Sequence, residues 1–317
     1  MNGFYAHTDI HRRMLLDDVR NRAYLDALLA TVKPGDVVLD FGAGTGILSL
    51  FAARAGARRV YAVERGPMAH VMRRIVAANG EAERVRVIEE DMQNVSLPEK
   101  VDCIVSEWLG TFGVDENLLP PLLMARDRWL KPGGVMLPQS VKAVAAPVWS
   151  RELSEKLDFF RGHPYGLDLS LMAEATLDEL AWPETPVTPE DYVSEPQPMW
   201  TTDVYADTVE QARLPFRASL SFKASRAGKV NALVAWFTAD FGRGITLSTA
   251  PDRPPTHWKQ YLIPLHHASE VEAGTEIRVE YVCIPAYESF CYHAWSTRVG
   301  SEAWQHHDTR RTITASL

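Results

Sequence analysis

Long hydrophobic runs are missing from this chain. No apolar stretch approaches the ~20 residues that a membrane span needs, and the N-terminal MNGFYAHTDIHRR carries no signal-peptide core. A cytoplasmic protein with no membrane partner is the expectation. Cysteine is scarce as well: Cys103, Cys283 and Cys291 are odd in number and have no metal-ligand spacing. This argues against a disulfide framework and a metal site, and predicts reduced, mostly buried thiols. Positive charge is in deficit, with 33 Lys and Arg against 41 Asp and Glu and a formal charge of −8. That balance speaks against nucleic acid and leans toward a cationic substrate. Internal repeats and low-complexity segments are also lacking.

What is present is a 317-residue chain, 46% hydrophobic and 23% charged, a soluble globular composition with room for two domains. Apolar residues recur at helical spacing through residues 9–31, and Pro34-Gly35 ends that helix. VVLDF at 37–41, RVYAVE at 59–64, VRVIEED at 85–91 and VDCIVSEW at 101–108 read as strands that alternate with helices at ILSLFAARAG and MAHVMRRIVAAN. A helix at about 117–130 and a turn at Lys131-Pro132-Gly133-Gly134 follow. This grammar predicts an α/β domain with a parallel, Rossmann-like sheet over residues 1–138. After Pro138 it changes to strands: SVKAVAAPV, RASLSFKAS, KVNALVAWFTADF, EIRVEYVCI and TRRTITASL. Residues 139–317 are therefore expected to form an antiparallel, β-barrel-like domain. An aromatic and Pro-rich insertion at about 150–200 interrupts it.

Strand, glycine turn, helix and a second strand ending in an acid is the layout in which a nucleoside lies across a sheet edge. The turn here is Gly42-Ala43-Gly44-Thr45-Gly46, and the acid is Glu64, eighteen residues past Gly46 and suited to accept both ribose hydroxyls. The third glycine comes one position earlier than in G-x-G-x-x-G, which counts against a dinucleotide pyrophosphate. A nucleoside without phosphates fits better, S-adenosylmethionine being the common one. An NAD-linked oxidoreductase is the rival enzyme class, and a glycine turn that merely packs strand on helix is the plainer alternative.

The fourth strand runs into SEWLGTFGVDE at 106–116, with Glu107 and Glu116 nine positions apart around a Gly-rich loop. Ligands of open α/β sheets bind at this carboxyl edge. Paired carboxylates suit a guanidinium, whose fork of donors they can grip by charge-assisted hydrogen bonds. Such a grip draws positive charge toward the held nitrogens and aims the free one. Solvated loop carboxylates are the alternative.

This loop resembles the double-glutamate loop of the protein arginine methyltransferases. Other motifs of that family fall in order along nearly the whole chain: YAHTDIHRRMLLDDVR at 5–20, VLDFGAGTGILS at 38–49, AVE at 62–64 and THW at 256–258. The resemblance implies methyl transfer from S-adenosylmethionine, leaving S-adenosylhomocysteine and using no metal. By it, Arg20 holds the methionine carboxylate, Gly42, Gly44 and Gly46 pass close to the cofactor with Asp40 beside them, and Glu64 binds the ribose. Glu107 and Glu116 hold the guanidinium, and Met14 shapes the space beside the methyl. His257 lies over the site and passes a proton through Asp17, while Tyr5 and Trp258 contact substrate. Met14 as core and His257 as a structural histidine are the plain alternatives. The insertion resembles the family's dimerisation arm, at about 152–185 with YGLDLS as its tip, implying a homodimer; a surface excursion packed on its own subunit is the other reading.

The sequence also departs from the family. It begins almost at Tyr5, so the N-terminal lid helix of many relatives is expected to be absent, as in a bacterial-type member. Thr111, Gly113 and Asp115 stand where aromatic residues are usual, and Arg12 and Arg13 where acids are frequent. Gln93 replaces an acid that meets the adenine amino group. These changes bear on substrate more than on chemistry. An arginine in a protein or peptide is the default; free L-arginine is the alternative, with Arg12, Arg13 and Asp115 expected at the pocket mouth to hold its carboxylate and ammonium. A non-catalytic interaction protein is the third possibility.

Overall fold

The computed structural model describes residues 7–311 except Met92, Glu288, Ser289 and the side chain of His266. Tyr5 lies outside the described residues.

The first domain opens with two helices, α1 (Thr8–Leu16) and α2 (Asp18–Thr31). The continuous helix expected from the spacing is broken at Asp17, which takes an extended conformation and uses its carboxylate to cap α2 by accepting from the Arg20 N–H. A capping carboxylate satisfies a first-turn donor that an unbroken helix would not leave free. Then come β1 (Val37–Phe41), α3 (Ile47–Arg54), β2 (Arg59–Glu64), α4 (Met68–Ala78), β3 (Val85–Glu89), β4 (Val101–Val105), α5 (Leu119–Trp129) and β5 (Leu130–Leu137). The five strands form one parallel sheet in the order β3-β2-β1-β4-β5. VVLDF is buried at all five positions, as a central strand covered on both faces must be. The turn expected at Lys131–Gly134 lies inside β5. Val101 pairs with Leu130 and Cys103 already with Val135, so the extra residues bulge out of the register.

The second domain starts with β6 (Ser140–Val148), then α6 (Arg151–Arg161), α7 (Ser170–Leu177), β7 (Gln197–Asp203) and α8 (Val209–Ala212). It continues with β8 (Phe216–Lys223), β9 (Gly228–Asp240), β10 (Thr246–Ser248), β11 (Tyr261–Val271), β12 (Glu276–Tyr287), β13 (Phe290–Val299) and β14 (Gln305–Asp308). One antiparallel sheet runs β10-β9-β6-β7 with β11 also on β9, and another runs β14-β13-β12-β8. The structure adds five strands that the sequence reading passed over, β7, β10, β11, β13 and β14, and residues 309–311 form a turn and helical end, not the start of a strand. The arm is α6 and α7. Leu153, Leu157, Ala173 and Leu177 pack its root on Ala146, Val148, Val234 and Trp236 of this same chain. Its tip is bare: Tyr165 is 95% exposed, Leu171 76% and Leu167 60%. Among the described residues no helix is long and apolar enough to cross a membrane.

Candidate active site

The carboxyl edge of the parallel sheet gathers the motifs. After β1, Gly42, Gly44 and Gly46 all adopt positive φ (78°, 53° and 81°), and the Gly42 and Ala43 N–H groups donate to Val63 O at 3.0 and 2.9 Å. A Cβ on Gly46 would stand 2.8 Å from Met72 Cγ, so glycine is required there both for the left-handed backbone and for the closeness of α4. Glu64, at the end of β2, accepts from Gly44 N at 3.0 Å and from Gly66 N at 2.6 Å, one bond to each oxygen. Its carboxylate is thereby fixed in place with lone pairs to spare for hydroxyl donors.

Asp40 is fully buried and accepts from Ser49 Oγ at 2.6 Å through Oδ2. Its Oδ1 has no partner among the described residues. Burial pushes its pKa up to about 7, against the Ser49 hydrogen bonds and with the help of the Glu64 charge.

Arg20, on the first turn of α2, is a buried cation of the site. It donates to Asn21 Oδ1 at 2.7 Å and to Glu107 Oε2 at 3.4 Å, and lies over the Tyr24 ring at 5.7 Å. Its Nε is buried without a partner among the described residues. A buried donor left over on a guanidinium is a ready anion contact. With Glu64 it makes the edge fit a nucleoside that bears a carboxylate.

Glu107 is held on its other oxygen by the Leu109 N–H at 3.0 Å. Glu116 closes the loop, half-buried, next to Asn117, whose positive φ of 52° and side-chain donation to Tyr287 O at 2.9 Å anchor the exit. From the second domain, His257 donates its N–H to Asp17 Oδ2 at 2.8 Å, and its Nδ1 lies 2.7 Å from the same oxygen. Burial raises the Asp17 pKa, but the His257 and Arg20 hydrogen bonds outweigh it, and the carboxyl lies below its ordinary value. Met14 is half-buried on α1.

Two expectations are corrected, those for Asp115 and Trp258. Asp115 does not stand at the pocket mouth: it is 9% exposed, its Oδ1 accepts from Phe112 N at 2.8 Å and its Oδ2 from Tyr261 Oη at 3.2 Å. Burial raises its pKa despite those bonds, and the carboxyl does not face the solvent from which an ammonium would arrive. Arg12 and Arg13 are exposed on α1, and with Asp115 buried the three residues expected to hold free arginine are not assembled as one set. Trp258 does not face substrate, because its ring is buried against Phe237 and its indole N–H donates to Leu109 O at 2.7 Å. Gln93 is exposed, its N–H on Asp91 and its carbonyl receiving Arg128. His11 was not read from the sequence; it is buried on α1, its ring 3.4 Å from where a Cβ of Gly44 would stand. A histidine three residues before Met14 at helical spacing was the available signal.

Residues 140–291 match the family described as the arginine methyltransferase oligomerization subdomain, and residues 20–137 the one described as PRMT5 arginine-N-methyltransferase. The chain is 36% identical over 291 residues to protein arginine N-methyltransferase 6 of Xenopus laevis, covering 89% of this chain and 85% of that one. It is 37% identical over 290 residues to protein arginine N-methyltransferase 1 of Schizosaccharomyces pombe, covering 89% and 84%. The Trypanosoma brucei PRMT1 enzyme-prozyme heterotetrameric complex with AdoHcy superposes with a TM-score of 0.85 at 30% identity, over 96% of this chain and 98% of that chain. Protein arginine methyltransferase 10 of Arabidopsis thaliana, in an open conformation, gives 0.85 at 28% identity over 98% and 100%.

Proposed function

The chain belongs to the protein arginine methyltransferase family, and from that premise we propose that it methylates a guanidinium nitrogen of arginine in a protein or peptide. One observation carries the reading. Arg20 connects three distant motifs: its side chain reaches Glu107, its N–H is capped by Asp17, and Asp17 also holds His257.

S-adenosylmethionine supplies the electrophilic methyl group when bound, and leaves as S-adenosylhomocysteine. Arg20 would hold its carboxylate and Glu64 its ribose hydroxyls, with Asp40 and the three glycines shaping the turn beside them. Glu107 and Glu116 would grip two guanidinium nitrogens and draw positive charge toward them. The third nitrogen then keeps more of its lone pair, which an isolated guanidinium with a pKa above ~12 does not offer. Holding it in one orientation supplies several kcal/mol of the barrier. The tautomer of His257 that donates from Nδ1 to Asp17 would leave Nε2 as an acceptor for the proton that the nucleophile gives up. Met14, half-buried on α1, would bound the space for the methyl group.

The bare apolar tip of the arm supports a homodimer as the working form, and the match to an oligomerization subdomain agrees with it. Mass spectrometry of an arginine-rich peptide and of free arginine, each incubated with enzyme and S-adenosylmethionine, tests the reaction. Mass gains of one or two methyl groups on the peptide are expected. Methylation of free arginine alone, or of neither, would reject the proposal.

A further inference from the structure

The loop that carries both glutamates contains Gly110 and Gly113, the latter at a φ of 87°, and such residues loosen a backbone. Two carboxylates nonetheless have to meet one guanidinium within tenths of an ångström. What fixes the loop lies inside it. Asp115 reaches back across the turn to accept the Phe112 N–H at 2.8 Å, and its second oxygen takes Tyr261 Oη, from β11 of the other domain, at 3.2 Å. The carboxylate fills the space at Gly110, where an added Cβ would stand only 2.3 Å from Oδ1. From the arm side, Trp182 donates to Thr111 Oγ1 at 3.2 Å and packs on the Tyr261 ring with centroids 5.4 Å apart.

We propose that Asp115 is a positioning residue for the proposed reaction, holding Glu116 and the span back to Glu107 in register through Phe112 and Tyr261. Asp115 is joined to Glu116 by one peptide bond, so a backbone shift that follows the loss of its side-chain bonds is passed directly to the Glu116 carboxylate. It acts through geometry and not charge, because both oxygens are occupied by protein donors and the group is buried. The inference rests on the reaction proposed above.

The test compares wild type with Asp115→Asn, Asp115→Ala and Tyr261→Phe. The measurements are kcat and KM for an arginine-rich peptide, and Kd for S-adenosylhomocysteine by calorimetry. Asp115→Ala should lose about 10- to 100-fold in kcat, with cofactor Kd and peptide KM within about twofold of wild type. Asp115→Asn should recover most of that loss, since its amide oxygen still accepts from Phe112 and its NH₂ can donate to the tyrosine oxygen. Tyr261→Phe should lose about threefold or more in kcat, and decides the matter should Asp115→Ala not fold. An asparagine variant as impaired as alanine with a raised KM would overturn the inference in favour of a charge contact with substrate. Variants equal to an active wild type would overturn this inference alone, whereas a wild type that methylates no peptide would overturn the reaction with it.

Discussion

Asp17 and His257, 240 positions apart, are joined by a 2.7 Å contact between Oδ2 and Nδ1, and the other Asp17 oxygen caps the helix that presents Arg20. One carboxylate therefore orients a candidate proton acceptor and a candidate cofactor ligand together. Disturbing it should be felt in both stability and turnover.

Asp17→Asn isolates the charge, because asparagine caps a helix about as well as aspartate. Its single acceptor oxygen cannot serve both the Arg20 N–H and His257, so an NH₂ faces a donor and kcat should fall. Stability should fall by on the order of 1–3 kcal/mol. The Asp17 pKa is lowered in the folded protein. The stabilisation is therefore present above the unfolded carboxyl pKa of ~3.9 and is lost as pH falls through the lower folded value. In thermal melts of both proteins from about pH 7 to pH 3, the gap should narrow toward the acid end. A gap that stays constant across that range would show that the charge contributes nothing.

Glu64→Ala should weaken S-adenosylhomocysteine binding, by up to ~1.5–3 kcal/mol for each charge-assisted bond lost. The same change frees the N–H groups of Gly44 and Gly66, which its carboxylate holds. Glu64→Gln keeps one acceptor and should lie between alanine and wild type. Titration calorimetry orders the three; equal affinities would remove Glu64 from the ribose site.

The two loop glutamates should not behave alike. Glu107 touches Arg20 at 3.4 Å, so Glu107→Gln should lose turnover and also change cofactor affinity. Glu116→Gln should lose turnover at unchanged cofactor affinity, since an amide turns an NH₂ toward guanidinium donors and removes the localising charge. Kinetics and calorimetry on both variants check this. Wild-type kcat in either would falsify the clamp.

Local signals explain what the sequence made legible. The glycine turn, the acid ending β2 and the SEWLGTFGVDE loop are written in adjacent residues, and VVLDF is apolar because both faces of a central parallel strand are covered. The helix break at Asp17 was hidden because an internal cap inside an apolar periodicity looks like an exposed helical aspartate, although the resemblance already pairs Asp17 with His257. β7, β11 and β13 were hidden by their alternation. In FCYHAWSTRV buried positions alternate with half-buried ones, and the buried set includes the polar His293 and Thr297, while a proline inside β11 and in β12 blunts the strand signal. Asp115 was misplaced because a loop carboxylate is solvated by default. Its burial depends on Tyr261, which lies far along the chain.

The arm offers the last prediction, and its root and tip should answer differently. Leu157 is buried against β6 and β9, so Leu157→Glu should unfold the arm's base and lower the melting temperature, as an unpaired charge in a core does. Leu171 touches little of its own subunit at 76% exposure, so Leu171→Glu should leave the melting temperature of an isolated subunit nearly unchanged. If the tip docks on a second copy, that buried charge would sit in the contact and disfavour it. Light scattering should then give a mass near twice 35.5 kDa for wild type and near 35.5 kDa for Leu171→Glu. Activity should fall with the mass. Deleting 152–185 would not separate these effects, since it also removes Trp182 from Thr111 and uncovers the sheet under Leu153 and Leu157. A wild-type mass of one subunit, or a Leu171→Glu protein that remains double, would return the tip to a surface excursion of a single chain.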